Sequence, residues 1–308
     1  MKNTMLVRQL ILGLSACSLC SFASVAPPAD TVRYQLVDKS GSVQVAFTFQ
    51  VPAGWKVQDT LNWNLMVRSN PMVYTLTAIA PDGNTWFSYM SGLTFPFGSG
   101  VGGSPYGKPA PAKPSDFLQE YFEGVNKQFS PRVLNKTDKA TPYPYKSSVP
   151  GVKTFAYHSE LLGEFTLGGH VGQMKLSADY LGYRQTLGTG YVGNWTVNNI
   201  TVIKAPQDLL AETSRKAKEV LDSERPSPAF IDTYIKVSNM LLARTKQEND
   251  QARAAKAQRI IVTSNGGSNG GGGGGGGRNN RIDDRDTFTL RMAVKGLQSR
   301  IFSRSIGN

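Results

Sequence analysis

The amino-acid sequence predicts an α+β fold in which helices pack against an antiparallel sheet. Apolar and polar residues alternate at period two over 43–51, and two longer alternating runs flank a Gly-Gly dipeptide within 154–183. After Pro206 the spacing of apolar residues becomes helical. We therefore expect an antiparallel α+β domain over 24–205 and a long helical arm over 206–264.

Turn residues divide the first part of the domain into strands. Residues 43–51 end at Pro52-Ala53-Gly54-Trp55, and the runs 72–79 and 85–90 flank Ala80-Pro81-Asp82-Gly83-Asn84, which predicts a hairpin. Glycine and proline dominate 97–114, so we expect a loop there. A last strand is predicted over 196–203, before Pro206.

The stretch 154–183 is the most informative part of the sequence. Gly168-Gly169 suits a two-residue hairpin turn, because glycine adopts the positive φ angles that such turns need. A turn at that point sets the register, and it places His158 opposite Asp179 on one polar face, with Glu160 beside them. Leu176 then lies on the other, apolar face. The sheet is therefore expected to bury one face and to expose the other.

The helices follow from apolar spacing and from capping residues. Ser115 is a suitable N-cap for a helix that runs to about Phe129. Its expected apolar stripe consists of Phe117, Leu118, Tyr121, Phe122 and Val125. The arm should hold two helices separated near Pro226-Ser227-Pro228. Residues 244–259 are mainly alanine and charged residues, which predicts that this part projects into solvent or meets a partner.

Two low-complexity segments end the chain. Residues 265–277 contain an uninterrupted run of glycines and are predicted to be a flexible linker. Residues 278–308 are rich in arginine and hold few large apolar side chains, which indicates a basic flexible tail. The net charge of +12 favours attraction to anionic surfaces or polymers, and the tail is the expected contact.

The first residues predict export. Lys2 and Arg8 precede an apolar run, and Ser21-Phe22-Ala23 forms a small-x-small cleavage pattern, so residues 1–23 are interpreted as a signal peptide. The protein is then expected in the periplasm or cell envelope. In the alternative reading, Leu14-Ser15-Ala16-Cys17 is a lipobox, and acylated Cys17 would make an outer-membrane lipoprotein. Membrane attachment is expected only in that case.

The strand Val45–Val51, the following Pro52-Ala53-Gly54-Trp55 and two further strands resemble the opening of PsbP-like domains. The resemblance covers residues 30–205 at most. It implies a sandwich of an antiparallel sheet between helices and a non-enzymatic role as an accessory or scaffold subunit. The helical arm and the glycine linker depart from the plan of that family.

Chemistry-bearing residues are few. His158 and Asp179 could form a general base with its orienting carboxylate, with Glu160 on the same face, and the alternative is a solvent-facing ion pair. No metal site is expected, because His170 falls on the opposite face and both cysteines, Cys17 and Cys20, lie in the signal. No cofactor is expected either, since the glycine-rich 98–103 is followed by prolines rather than by a helix.

These observations favour an exported, non-enzymatic binding or scaffold protein of the cell envelope that acts through contacts with an envelope protein. An envelope enzyme using His158, Glu160 and Asp179 is one alternative. A polyanion-binding protein acting through its basic tail is another. The partner and the oligomeric state do not follow from the sequence.

The signal can be tested on the protein isolated from its native host. Intact-mass analysis should show a chain that begins at Ser24, or a diacylglyceryl-modified chain that begins at Cys17. An unprocessed Met1 on soluble cytoplasmic protein would contradict the prediction of export.

Overall fold

The structure, a computed structural model, describes residues 30–41, 43–66, 70–99, 105–144, 151–167, 170–188 and 190–265. The predicted signal peptide with Cys17, the Gly168-Gly169 turn, and the predicted linker beyond Asn265 and basic tail lie outside the described residues.

Strands dominate the described chain. In chain order they are β1 (Thr31–Asp38), β2 (Gln44–Pro52), β3 (Lys56–Trp63), β4 (Met72–Ile79), β5 (Trp86–Ser99), β6 (Pro105–Gly107), β7 (Arg132–Ala140), β8 (Val152–Leu167), β9 (His170–Leu187), β10 (Gly190–Pro206) and β11 (Arg225–Pro226). The α-helices are α1 (Pro114–Asn126), α2 (Leu210–Asp222) and α3 (Pro228–Asn265), and short 3₁₀ turns, Lys127–Phe129 and Gln207–Leu209, follow α1 and precede α2.

The strands form two antiparallel sheets. The large sheet has the order β3-β4-β5-β10-β9-β8-β7, with β6 paired to β5, and the small sheet has the order β1-β2-β11. Every described pairing is antiparallel. The predicted α+β class, with an antiparallel sheet packed against helices and a long C-terminal helix, is therefore confirmed.

Two hydrophobic cores hold these layers together. The first core joins the small sheet to β3, β4 and β5, and it includes the buried residues Phe47, Phe49, Tyr74, Leu76 and Phe87. The second core lies between α1 and the long strands β8, β9 and β10, and it includes Leu118, Phe122, Leu161, Leu176 and Trp195. Because the large sheet contributes to both cores, it connects the two halves of the fold.

The hairpin of β8 and β9 has the register that the sequence predicted. Leu167 pairs with His170 and His158 pairs with Asp179. Leu176 is fully buried in the second core. The prediction succeeds because side chains alternate between the faces of a strand, so only one register puts the apolar set of both strands on the same side.

Helix α1 differs from its prediction at its N-terminal end and in its apolar stripe. It begins at Pro114, and Ser115 is not the N-cap. Instead, the Ser115 N–H donates to Oδ1 of Asp138 at 2.8 Å, so a carboxylate of β7 caps the helix. Of the expected apolar stripe, Leu118 and Phe122 are buried but Tyr121 and Val125 are exposed. The sheet under α1 covers one narrow strip of the helix, and these two residues lie outside it.

Gly163 shows how closely α1 approaches the sheet. A Cβ atom at this position of β8 would lie 2.3 Å from Cζ of Phe122. No side chain larger than hydrogen fits there, so the glycine lets the Phe122 ring rest on the strand backbone.

The expected loop over 97–114 was wrong in part. Strand β5 continues to Ser99, and β6 pairs with it. The aromatic side chains at the end of β5 pack against β10, with Phe95 stacked on Trp195 at a ring distance of 4.4 Å. This cross-strand packing outweighs the local weakness of glycine and proline as strand formers. Strands β1, β3 and β7 were missed. Strand β7 is largely polar and exposed, whereas β1 and β3 do alternate and place Tyr34, Leu36, Val57, Leu61 and Trp63 against the first core.

The predicted break between the helices of the arm is confirmed near Pro226, where the short β11 pairs with β2. Both helices contribute to the first core, α2 through Ala217 and Val220 and α3 through Phe230 and Tyr234. Residues 250–255 of α3 are exposed. Within the described residues, none of the helices has the length and apolar character needed to cross a bilayer.

The hairpin register can be tested with the same substitution on its two faces. Leu176→Ala should lower the free energy of unfolding by about 2–5 kcal/mol, because a buried leucine is lost from the second core. Leu162→Ala in β8, on the half-exposed face, should cost about 1 kcal/mol. Urea unfolding of both variants measures the difference, and a reversed order would place the register one residue away.

Candidate functional site

The candidate site lies on the face of the large sheet opposite α1. Strand β8 sits between β7 and β9, and His158 therefore lies between Lys139 of β7 and Asp179 of β9. Nδ1 of His158 is 2.8 Å from Oδ1 of Asp179, and both side chains are 41% exposed. The register thus produces the predicted histidine–carboxylate pair on an open face.

Two further charged side chains extend this pair along the strands. Oε1 of Glu160 is 3.7 Å from Nε2 of His158 and 3.3 Å from Nζ of Lys175. Asp179, His158, Glu160 and Lys175 therefore follow one another at contact distance, and we call these four residues the polar cluster. Glu160 and Lys175 carry opposite charges, and a half-exposed ion pair of this kind contributes about 0.2–1 kcal/mol.

Asn199 of β10 holds the carboxylate of Asp179 in place through a hydrogen bond. Its Nδ2 donates to Oδ2 of Asp179 at 2.6 Å, and its Oδ1 accepts from the hydroxyl of Tyr89 at 2.9 Å. The backbone here is a β-bulge, since the pairing of β10 with β9 shifts between Asn198 and Thr201 and Asn199 has a φ of 52°. Asparagine tolerates this left-handed conformation better than most residues. The bulge therefore aims the Asn199 amide at Asp179.

The polar contacts continue from Tyr89 into the first core. The rings of Tyr89 and Tyr74 are 5.5 Å apart, and the Tyr74 hydroxyl donates to Oε1 of Glu224 at 2.8 Å. Burial, with Tyr89 and Glu224 as neighbours, raises the pKa of Tyr74 well above its ordinary range. A line of polar side chains thus runs from the open face to Glu224, which is buried just after the end of α2.

The polar cluster offers hydrogen-bonding groups and an imidazole that can exchange a proton, His158. Asp179 orients the imidazole through Nδ1, which leaves Nε2 on the side of Glu160 and solvent. Within the described residues, no group of three histidine, cysteine, aspartate or glutamate side chains is arranged to hold a metal ion.

The structure brings together the three residues singled out from the sequence, His158, Glu160 and Asp179. His170 pairs with Leu167, and by alternation along β9 it belongs to the face opposite the polar cluster. Sequence reasoning missed Asn199 and Tyr89. The dipeptide Asn198-Asn199 inside an apolar strand was the available signal, because it breaks the alternation where the bulge occurs.

No protein-family model and no curated protein sequence matches this chain. Among solved structures, the chain is similar to the cyanobacterial PsbP protein CyanoP from Synechocystis sp. PCC 6803, with 12% identity, a TM-score of 0.27 and coverage of 65% of this chain and 94% of that one. It is also similar to LpqN of Mycobacterium tuberculosis, described as involved in cell envelope biogenesis, with 12% identity, a TM-score of 0.23 and coverage of 64% and 92%. The predicted PsbP-like resemblance is thus supported by a weak structural similarity. At these TM-scores the similarity does not indicate the function of this protein.

Asn199, rather than His158, should be the residue that stabilises this face. Asn199→Gly keeps the positive φ but removes the bridge between Asp179 and Tyr89, and it should lower the free energy of unfolding by about 1–3 kcal/mol. His158→Ala leaves Asp179 bound to Asn199 and should cost under about 1 kcal/mol. Urea unfolding ranks the two variants. A larger loss for His158→Ala would mean that the ion pair, and not the bulge, holds the carboxylate.

Proposed function

We propose that this protein is an exported, non-enzymatic binding or scaffold protein of the cell envelope, which presents the polar cluster and the surrounding face of β7, β8 and β9 to a protein partner. The signal-like residues 1–23 support export. Attachment to a membrane requires acylation of Cys17. The basic residues 278–308 offer a second, looser contact with an anionic surface or polymer.

The openness of the polar cluster carries the proposal. His158, Glu160, Lys175 and Asp179 are each 38–43% exposed, and Glu160 lies beside the opposite charge of Lys175. Helix α1 packs on the other side of β8 and β9, and α2, which contacts β9 and β10, leaves the four side chains of the polar cluster half-exposed. A broad open face with a pattern of charged side chains suits recognition of a complementary protein surface, in which charge pattern sets specificity.

An enzyme is the second candidate, and one observation favours it. The 2.8 Å contact between His158 and Asp179 has the geometry of a general base with an orienting carboxylate. An enzyme also needs an enclosed substrate and a group that attacks it or polarises it. The open face supplies water access instead, which is why binding is preferred.

The experiment first captures the partner by photo-crosslinking from a probe at Ser177, which pairs with Glu160, in intact envelopes. The captured protein is then purified and titrated with the full chain and its variants. The double variant Glu160→Lys/Lys175→Glu keeps an ion pair but inverts the charge pattern, so it should weaken binding about tenfold or more. His158→Ala should change the affinity much less.

The matched control is Lys218→Asp/Asp222→Lys, which inverts an exposed ion pair on α2. Full binding by the control and weak binding by the inverted cluster would support the proposal. If the inverted cluster binds like the wild type, the partner does not use this face. If His158→Ala abolishes a measured turnover in a folded chain, the enzyme candidate replaces the scaffold.

A further inference from the structure

Two cations face each other on the other side of the large sheet, beyond the part that α1 covers. On this face, Phe122 of α1 lies over Gly163 of β8, and Phe117 of α1 contacts Tyr180 of β9. Further along the hairpin, Lys153 of β8 lies directly opposite Arg184 of β9, and both are exposed. Like charges in directly opposed positions of an antiparallel pair destabilise a sheet. The opposed cations therefore lower the stability of the fold.

In the part of the chain that the structure describes, no acidic side chain pairs with these two cations. Among the described residues, neither Lys153 nor Arg184 forms a salt bridge or a side-chain hydrogen bond. The sequence explains this, because residues 83–115, 139–157 and 180–207 contain no aspartate or glutamate. These segments supply β5, β6, β10 and the paired ends of β8 and β9. We call this region the acid-free end of the sheet.

Aromatic packing holds Arg184 in place. Its guanidinium carbon lies 4.0 Å from the centre of the Tyr191 ring. Tyr191 is itself fixed by the ring of Phe97, 6.2 Å away, and by its N–H, which donates to Oγ of Ser99 at 3.0 Å. A guanidinium stacked on an aromatic ring keeps its N–H donors free in its own plane, where they match the two oxygens of a carboxylate or phosphate.

An aromatic surface lies directly beside the two cations. Phe155 pairs with Gly182 at the next position of this face, and a Cβ atom at Gly182 would lie 2.2 Å from Cζ of Phe155. The end of the Phe155 ring therefore lies over the backbone of β9 at Gly182. An aromatic ring next to a cation pair offers one ligand both an apolar surface and a positive charge.

We propose that Lys153, Arg184, Tyr191 and Phe155 form a binding subsite for one uronate residue of an acidic polysaccharide. Arg184 receives the two oxygens of the sugar carboxylate, Lys153 adds the second positive charge, and the sugar ring rests on Phe155. This function goes beyond the proposed protein contact, which uses the opposite face.

The number of cations favours an acidic sugar over a nucleic acid. Two opposed cations match one oxyanion, whereas a nucleic-acid strand presents a row of phosphates and is bound by a correspondingly long row of Lys and Arg. A bilayer surface likewise attracts clusters of several cations. The compact pair beside the Phe155 ring corresponds to one charged sugar unit.

The probes are a short oligogalacturonate and its methyl ester, which has the same sugars without the charge. Single-stranded DNA and phosphatidylglycerol vesicles test the other occupants. The full chain should bind the oligogalacturonate and should bind the methyl ester about tenfold or more weakly, because the charge-assisted hydrogen bonds are lost. Because the basic tail also attracts polyanions, the site variant decides between them: a larger loss of DNA or vesicle binding than of oligogalacturonate binding in Lys153→Glu would overturn the assignment to a sugar.

Two substitutions locate the site without disturbing the fold. Lys153→Glu creates an ion pair with Arg184, so the melting temperature should stay the same or rise, while the affinity for oligogalacturonate falls about tenfold or more. Arg184→Lys keeps the charge but removes the planar fork, and it should also weaken binding.

The matched controls are Lys56→Glu and Arg33→Lys, which make the same changes at exposed positions of β3 and β1. Unchanged binding by the controls, with loss in both site variants, supports the subsite. Equal loss in Lys56→Glu and Lys153→Glu, or no loss in either site variant, overturns it. Glu160→Lys/Lys175→Glu should bind the sugar like the wild type, which separates this test from that of the protein partner.

Discussion

The pairing of β8 with β9 is the constraint on which the rest of the structure depends. A shift of one residue would exchange the faces of both strands, because side chains alternate strictly along a strand. Leu176 would then face water, and the polar cluster would be pushed against α1. The second core, the open polar face and the opposition of Lys153 to Arg184 all follow from this one register.

The bulge at Asn199 adds a second constraint. It lets β10 supply apolar residues to both cores, Ile203 to the first and Trp195 to the second. It also turns the Asn199 amide towards Asp179 and Tyr89. Buried polar groups are costly unless they are paired, and the line from Asp179 to Glu224 satisfies its members one after another. The polar cluster is thereby tied to the core rather than resting on the surface.

The two faces of the long hairpin differ in whether their cations have acidic neighbours among the described residues. On the polar face, the ion pair of Glu160 and Lys175 lowers the local field, and Asp179 lies beside His158, which leaves a patterned surface. At the acid-free end, Lys153 and Arg184 lie together without an acidic neighbour among the described residues, and the field remains. A surface of the first kind suits a partner with a matching pattern, and one of the second kind suits a small anion.

The sequence by itself determined the elements that follow from local rules. Period-two alternation and Gly168-Gly169 were enough to predict the β8–β9 register, the burial of Leu176 and the meeting of His158 with Asp179. Only the tertiary structure decided which face of α1 is buried, that Asp138 caps it, and that 97–99 and 105–107 are strands. It also brought Asn199 to Asp179 and Arg184 to Tyr191. The reason is physical: alternation and turn geometry act between near neighbours in the chain, whereas caps, bulges and ring stacking depend on strands that meet only after the sheet has formed.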